Sequence, residues 1–217
     1  AGLFDVVKAS IAGSVIGNIL MVLGLSMLVG GIKYKTQSFN KKSTEVSSSM
    51  LLFAVIGLTI PAIFTHTVAA DLLNTRYEGL SVIVAVIMFG IYLLSLYFSF
   101  YTHKDIYAVE HDEEVTSKWS LKKAIGVLVG ATVLIGLESE FFVGAVEPMT
   151  QAIGLSEFFV GIILVPIIGN AAEHSTAIVM AYKNKMDVAM EIAIGSSLQM
   201  ILFVTPVLIF LSLLFTP

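Results

Sequence analysis

Six long runs of apolar residues, separated by short polar connections, dominate the hydropathy pattern of the chain. They cover residues 9–32, 50–70, 80–101, 124–146, 157–182 and 188–215. A helix needs about 20 predominantly apolar residues to cross the hydrocarbon core of a bilayer. The pattern therefore predicts an all-α, polytopic membrane protein. Residues 1–217 are expected to form a single transmembrane domain with about six transmembrane helices.

The polar segments between these runs are too short to form separate domains. We expect residues 33–49 to be a solvated loop and residues 147–156, which contain Pro148 and Gly154, to be a turn. Residues 102–123 are predicted to be a linker with an acidic run, Glu110 to Glu114. Such a run is usually only solvated, and the alternative is a regulatory cation site.

The composition supports a membrane protein. Hydrophobic residues make up 57% of the chain and charged residues only 13%, whereas soluble domains carry roughly 25% charge. The mean hydropathy is +0.92, and the absence of cysteine excludes disulfides. We expect a lipid bilayer as the surroundings and no nucleic acid as a partner. The chain begins with Ala1 and shows no recognisable signal peptide, so we expect it to begin inside a longer protein.

The fifth apolar run has a polar centre. Gly169, Asn170, Glu173 and His174 follow Pro166 within it. A carboxylate at the middle of a bilayer costs about 2.5–3.5 kcal/mol on insertion scales, so it faces a partner or a wet cavity. Proline removes a backbone donor and disturbs the preceding turn, and discontinuous helices build ion sites in transporters. The segment predicts a cation site on a broken transmembrane helix, with Glu173 as the metal-binding carboxylate.

Each of these polar residues has an expected place in that site. Asn170 and Glu173 are three positions apart and share one helix face, whereas His174 points about 100° away from Glu173. We assign His174 to a supporting position or a proton path. The alternative interpretation of the whole segment is polar contact between packed helices.

Further candidate ligands lie on other spans. Ser14 and Asn18 are four apart and line one face of the first span, while Gly13 and Gly17 allow a second helix to approach closely. Ser196 and Gln199 share a face of the last span. Glu140, near the end of the fourth span, is a candidate for a cation entrance.

An internal repeat links the first and last spans. Asp5 and Asp187 are 182 positions apart, and the same offset aligns Gly13 and Ser14 with Gly195 and Ser196. Repeats of this kind are common in transporters.

The distribution of lysines predicts the direction of the two repeats. The connections 33–49, 102–123 and 183–187 contain ten lysines, and only Lys8 and Arg76 lie on the other side. Lysine-rich loops are cytoplasmic as a rule. The first span then runs inward and the sixth outward, which predicts an inverted repeat. Residues 1–101 would end the first repeat, 102–123 would be a cytoplasmic linker, and 124–217 would begin the second repeat.

The motifs at Gly169–His174, Lys183–Asp187 and Gly195–Gln199 resemble the second signature of the calcium/cation:proton exchangers, within the cation/calcium exchanger superfamily. Residues 2–18 resemble the tail of their first signature. The resemblance implies an antiporter with alternating access and no cofactor, which is not an enzyme. Its substrates would be calcium, or a similar divalent cation, and protons. It also implies one acidic residue per repeat. Glu173 matches the second, and the first is expected upstream of Ala1.

Two other functions are weighed against proton-coupled exchange. Sodium-coupled calcium exchange uses the same residue types, and a cation channel also needs a carboxylate in a wet cavity. An intramembrane metalloenzyme is disfavoured because the sequence has no His-Glu-x-x-His spacing.

The lysine count yields a test of topology. Single cysteines placed at Lys41, Lys118 and Lys185 should react with a membrane-impermeant reagent from the cytoplasmic side, and those at Arg76 and Glu147 from the other side. The cysteine-free chain provides the background for labelling in whole cells and inverted vesicles. Labelling of positions 41 and 185 from opposite sides would contradict the inverted repeat.

Overall fold

The computed structural model of the protein describes residues 4–67, 78–107 and 119–214. The α-helices in these ranges are α1 (Phe4–Ile16), α2 (Leu23–Lys33), α3 (Lys41–Thr67), α4 (Glu78–Tyr97), α5 (Lys104–Tyr107), α6 (Leu121–Ile153), α7 (Glu157–Phe159), α8 (Val165–Gly169), α9 (Ala171–Tyr182), α10 (Met186–Gln199) and α11 (Thr205–Ser212). The π-helical segments are Gly17–Val22, Phe98–Thr102, Val160–Leu164 and Met200–Val204.

The predicted spans are found in this architecture. By length and composition, five continuous segments are suited to cross a membrane: Asp5–Lys33, Lys41–Phe64, Gly79–Thr102, Leu121–Ala152 and Met186–Ser212. The sixth is a pair of helical segments, Glu157–Gly169 and Ala171–Tyr182, bent by 59° at the break between them. The prediction of an all-α membrane protein with a broken helix is confirmed.

The prediction of a loop over residues 33–49 is wrong for its second half, because α3 already begins at Lys41. The Asn40 side-chain oxygen accepts a hydrogen bond from the Ser43 backbone N–H at 3.1 Å, and this contact caps the helix. Ser43 and Ser47 are buried. Their polarity therefore marks a packed helix face rather than a solvated loop.

The prediction of a turn over residues 147–156 is also mostly wrong. Helix α6 continues through Pro148 to Ile153, and it ends at Gly154 in the left-handed conformation with φ of 73°. Glycine adopts this helix-ending conformation without the usual steric penalty. The acidic run from Glu110 to Glu114 lies outside the described residues.

The three lysine-bearing connections meet at one end of the structure. Lys33 donates a hydrogen bond to the Tyr182 carbonyl at 3.2 Å, and Gln37 donates one to the Ala181 carbonyl at 2.8 Å. The Asn40 backbone N–H donates to the Asp187 carboxylate, and the Asn40 side chain donates to the Ile106 carbonyl at 2.7 Å. The expected common side of these connections is confirmed for the residues that the structure describes.

The internal repeat has a counterpart in backbone geometry. An offset of 182 residues carries Gly17–Val22 onto 199–204, and a second π-helical segment covers Met200–Val204. Lys33, at the end of the first span, and Asp187, at the beginning of the last, lie at the same end of the structure. The two segments therefore run in opposite directions, as an inverted repeat requires.

Helix α10 lies at the centre of the packing. It contributes Met186, Ala189, Met190 and Ile194 to a buried cluster with Val22, Ala177 and Ala181. Several of the most buried residues are alanines, among them Ala177, Ala181, Ala189 and Ala193. Small side chains let membrane helices approach closely, and this approach brings α9 and α10 together beside the first span.

A close contact also holds α1 against the fifth span. A Cβ atom added at Gly13 would overlap the carbonyl oxygen of Ile162, and one at Gly161 would lie 2.8 Å from the Val6 carbonyl oxygen. Gly17 has no atom within 4 Å of the corresponding position. The predicted close approach is therefore found at Gly13 but not at Gly17.

This difference predicts opposite outcomes for two identical substitutions. Gly13→Ala should destabilise the protein by about 1–3 kcal/mol, because a backbone oxygen cannot move aside as a flexible side chain would. Gly17→Ala, the control, should be neutral or slightly stabilising because alanine favours helix. Thermal unfolding of both variants in detergent measures the effect. Equal melting temperatures for the two variants would contradict the Gly13 contact.

Candidate cation site at the helix break

The break in the fifth span lies at Asn170. Its backbone has φ of −104° and ψ of 15°, outside the α-helical range. The preceding segment contains Pro166 near the start of α8, directly after the π-helical segment Val160–Leu164. Proline cannot donate the helical hydrogen bond and crowds the turn before it, and π-helical insertions are among the known causes of helix bends. The sequence thus produces the bend next to the polar residues.

Glu173 lies in the first turn of α9. The Ser196 hydroxyl of α10 donates a hydrogen bond of 2.6 Å to a Glu173 carboxylate oxygen. The N-terminal end of a helix carries a partial positive charge that favours a carboxylate. A hydroxyl and a helix terminus thus support the charge of Glu173, whose side chain stays exposed.

Two hydrogen bonds join the first span to the broken helix. The Asn170 amide donates to the Ser14 hydroxyl at 3.3 Å, and His174 Nε2 lies 3.1 Å from Asn18 Oδ1. Both pairs are separated by 156 positions, so the two segments run side by side in the same direction. The internal repeat therefore brings both of its serines to one helix, Ser14 to Asn170 and Ser196 to Glu173.

Asn18 and His174 form a buried polar pair beside the break. Asn18 is 1% exposed and His174 is 7% exposed. The Nδ2 atom of Asn18 has no hydrogen-bond partner among the described residues. Since most buried polar atoms in native proteins are paired, this amide has an unused hydrogen-bonding group next to the site.

The other predicted site residues, Gly169, Gln199 and Glu140, form no hydrogen bond with the Glu173 side chain among the described residues. Gly169 is exposed and ends α8 directly before the break. Gln199 is also exposed and lies one turn beyond Ser196 on α10. Gln199 makes no side-chain hydrogen bond to another described residue. Glu140 is exposed on α6, where the described residues include no ion-pair partner for it. The structure thus brings together Ser14, Asn18, Asn170, Glu173, His174 and Ser196.

Oxygen atoms dominate the side chains around Glu173. A carboxylate, two serine hydroxyls and two amides are the types of ligand that calcium prefers. Among the described residues, no group of three or more His, Cys, Asp or Glu side chains could hold a metal ion. Within the described ranges, Glu173 is the one acidic residue of the segment 166–174 at the break, and the Ser196 hydroxyl is the neutral oxygen that contacts it.

One carboxylate on α10 is not among the predicted site residues. Glu191 lies on α10, one turn after Asp187, and accepts a hydrogen bond from the buried Ser43 hydroxyl at 3.1 Å. The four-residue spacing from Asp187 signals that both face α3. Glu191 is five residues from Ser196, about 140° around the helix, so it does not face Glu173.

Comparison with known proteins shows the family to which the chain belongs. The sequence profile of the family described as sodium/calcium exchanger protein matches residues 1–101 and 123–216. The chain belongs to this exchanger family. The family consists of transporters, so the expectation that the chain is not an enzyme is confirmed, as is the resemblance to the calcium:proton exchangers of this superfamily.

Several relatives are similar over nearly the whole chain. The Ca(2+)/H(+) antiporter ChaA of Bacillus subtilis is 44% identical over 219 residues, which cover 99% of this chain and 61% of the relative. A Ca(2+)/H(+) antiporter of Synechocystis is 40% identical, covering 96% of this chain and 60% of the relative. The solved structure of native YfkE superposes with a TM-score of 0.80 at 40% identity, covering 99% of this chain and 60% of that chain. The chain thus spans about 60% of the length of these relatives.

The Ser196 contact predicts a loss of cation affinity on substitution. Under the calcium-for-proton exchange proposed below, Ser196→Ala in the full-length protein should raise the calcium concentration for half-maximal exchange about tenfold, the value of one hydrogen bond to a charged group. Ser197→Ala is the matched control, because that buried hydroxyl bonds only to the Ala193 carbonyl of its own helix, at 2.8 Å. Calcium uptake into vesicles at graded concentrations provides the measurement. Equal affinities of the two variants would remove Ser196 from the site.

Proposed function

We propose that this chain forms part of a secondary antiporter that exchanges calcium, or a similar divalent cation, for protons by alternating access. The observation that carries the proposal is Glu173 at the break of a transmembrane helix, with the Ser196 hydroxyl 2.6 Å away. The relatives named as Ca(2+)/H(+) antiporters, at 40–44% identity, support the choice of substrates.

Exchange follows from competition for one carboxylate. Ionised Glu173 attracts a cation, whereas protonated Glu173 carries no charge and offers fewer acceptor positions. A cation that arrives from one side displaces the proton, and a proton that arrives from the other side displaces the cation. If the carboxylate faces only one side at a time, the two fluxes are coupled.

Neutral oxygens complete the proposed coordination. Ser14, Asn170 and Ser196 lie at the break, while Gly169 and Gln199 flank it. We assign Asn18 to the same group. A calcium ion takes 6–8 oxygen ligands, and one carboxylate does not balance its charge in a medium of low dielectric constant. The proposal therefore requires a second carboxylate, expected from the first repeat.

The pairing of Asn18 with His174 suggests how a proton and the cation affect each other. In the present orientation, Asn18 Oδ1 accepts from a protonated His174 Nε2. Rotation of the amide by 180° would expose Oδ1 where the unpaired Nδ2 now lies, and Nδ2 would then donate to an unprotonated Nε2. His174 would thus control whether the Asn18 oxygen is free for the cation, a role that suits its predicted position on the proton path.

The topology completes the proposal. The connections 33–49, 102–123 and 183–187 are assigned to the cytoplasm by their lysines. Residues 1–101 then end the first inverted repeat, 102–123 form the linker, and 124–217 begin the second repeat. Glu140 on α6 is assigned to a cation entrance.

Sodium-coupled exchange and a channel are distinguished from this proposal by the driving gradient. Calcium uptake into vesicles that contain the full-length protein should follow an imposed pH gradient. It should not follow an imposed sodium gradient at constant pH. Uptake without either gradient, carried by calcium alone, would indicate a channel.

Substitution of Glu173 provides the sharpest test. Glu173→Gln should reduce calcium-for-proton exchange to the level of empty vesicles, because it removes both the charge and the exchangeable proton. Glutamine keeps the size and can still accept from Ser196, so expression and melting temperature should remain close to those of the unsubstituted protein. Both quantities are measured on the same purified sample.

Two controls accompany this variant. Ser175→Ala should have a mild effect, because the exposed Ser175 hydroxyl bonds to the Ala172 carbonyl of its own helix at 3.0 Å. Glu113→Gln in the linker should leave exchange intact and change at most its calcium dependence. Near-normal exchange by well-folded Glu173→Gln would reduce the polar helix to a packing contact.

A further inference from the structure

A cavity of about 410 Å³ lies away from the helix break, between the end of the third span, α5 and α10. Its lining residues are Leu96, Ser99, Phe100, Lys104, Tyr107 and Glu191. The lining combines an apolar wall, two hydroxyls and one charge of each sign. Glu191, the lining residue on α10, points away from Glu173.

The cavity lies at the end of a segment suited to cross a membrane, beside the first residues of the connection that follows it. The third span, Gly79–Thr102, ends at the π-helical segment that provides Ser99 and Phe100, and Lys104 follows directly. Tyr97 and Tyr101 stack on each other at 5.4 Å and are exposed beside it. Tyrosines are enriched at the level of the lipid headgroups.

Several contacts hold the walls of the cavity in place. His103 stacks on Phe98 at 4.0 Å, and Tyr107 meets Phe98 edge-on at 6.4 Å, so the short helix α5 folds back on the end of the span. The Asn40 side chain fastens α5 to α3 through the Ile106 carbonyl. The Ser43 hydroxyl fixes the Glu191 carboxylate. The two charged groups are thus presented from separate, anchored elements.

Lys104 and Glu191 both line this cavity, but they do not form an ion pair with each other. Among the described residues neither forms an ion pair. Opposite charges held apart at a membrane surface can each pair with one end of a zwitterion. Phosphate is the natural partner of the lysine ammonium, and a primary ammonium donates hydrogen bonds to a carboxylate. The apolar Leu96 and the exposed Phe100 suit the start of an acyl chain.

We propose that this cavity binds the headgroup of a phospholipid with a primary ammonium, of the phosphatidylethanolamine type. Lys104 pairs with its phosphate and Glu191 accepts from its ammonium. Phosphatidylcholine has a quaternary ammonium without N–H donors, and phosphatidylglycerol has no cation. Both therefore lose the Glu191 contact.

Native mass spectrometry of the full-length protein in detergent tests the proposal, with the three lipids carrying the same acyl chains. Phosphatidylethanolamine should bind at least about tenfold more tightly than phosphatidylcholine, because one charge-assisted hydrogen bond is worth about this factor in affinity. Soluble phosphoethanolamine should bind more weakly than phosphatidylethanolamine, because it lacks the acyl chains. Equal affinities for phosphatidylethanolamine and phosphatidylcholine would overturn the proposal. Equal affinities for phosphatidylethanolamine and soluble phosphoethanolamine would also overturn it.

Two variants locate the binding. Lys104→Gln should weaken phosphatidylethanolamine and phosphatidylglycerol alike, whereas Glu191→Gln should reduce only phosphatidylethanolamine, to the level of phosphatidylglycerol. The matched controls are Lys122→Gln on α6 and Glu45→Gln on α3, both at exposed positions. They should leave the affinities for phosphatidylethanolamine and phosphatidylglycerol unchanged. Unchanged affinity of Lys104→Gln for both phosphatidylethanolamine and phosphatidylglycerol would overturn the assignment even if Glu191→Gln failed to fold, because the Lys104 side chain is exposed.

Discussion

A carboxylate on a membrane helix has to find a partner that replaces water, and the arrangement around Glu173 follows from this requirement. The Ser196 hydroxyl meets the carboxylate at 2.6 Å, so α10 must lie directly against α9. The alanines at 177, 181, 189 and 193 make this approach possible because their side chains leave no bulk between the helices. Without the break at Asn170, Glu173 would not lie in the first turn of a helix, where the helix terminus favours its charge.

The break itself is costly in a bilayer, since irregular backbone there must be satisfied by protein or by a wet cavity. In this structure, protein contacts at the break come from α1, which packs along the fifth span. Gly13 allows the contact with Ile162, and Ser14 meets the Asn170 amide at 3.3 Å one residue later. The glycine and the serine of the Gly-Ser pair thus have separate tasks, one steric and one polar. The second copy of the pair, Gly195 and Ser196, uses its serine for Glu173 instead.

The sequence alone was sufficient for the six spans, the broken helix and the shared side of the lysine connections, because hydropathy, proline and lysine counts report these features directly. Polar residues in this chain do not always mark a loop. Ser43 and Ser47 are polar and yet face another helix, and α6 continues through Pro148. The partners within the site were also beyond the sequence. The spacing does not show that Asn18 pairs with His174 rather than with Glu173, because that pairing depends on how two distant segments align.

That alignment constrains any mechanism of alternating access. The pairs Ser14–Asn170 and Asn18–His174 share one offset, and Ser196–Glu173 adds α10 to the same group. A motion that separated these elements would leave several polar groups unpaired at membrane depth, at about 1–3 kcal/mol for each group. Moving them as one body costs none of these bonds. Helix α6, exposed from 121 to 141 and packed mainly on the short α7 within the described residues, is tied to this group by far fewer contacts. The polar pairing around Glu173 therefore favours a rigid block, and the proposed change of access to the carboxylate is expected where the packing against that block is apolar and loose.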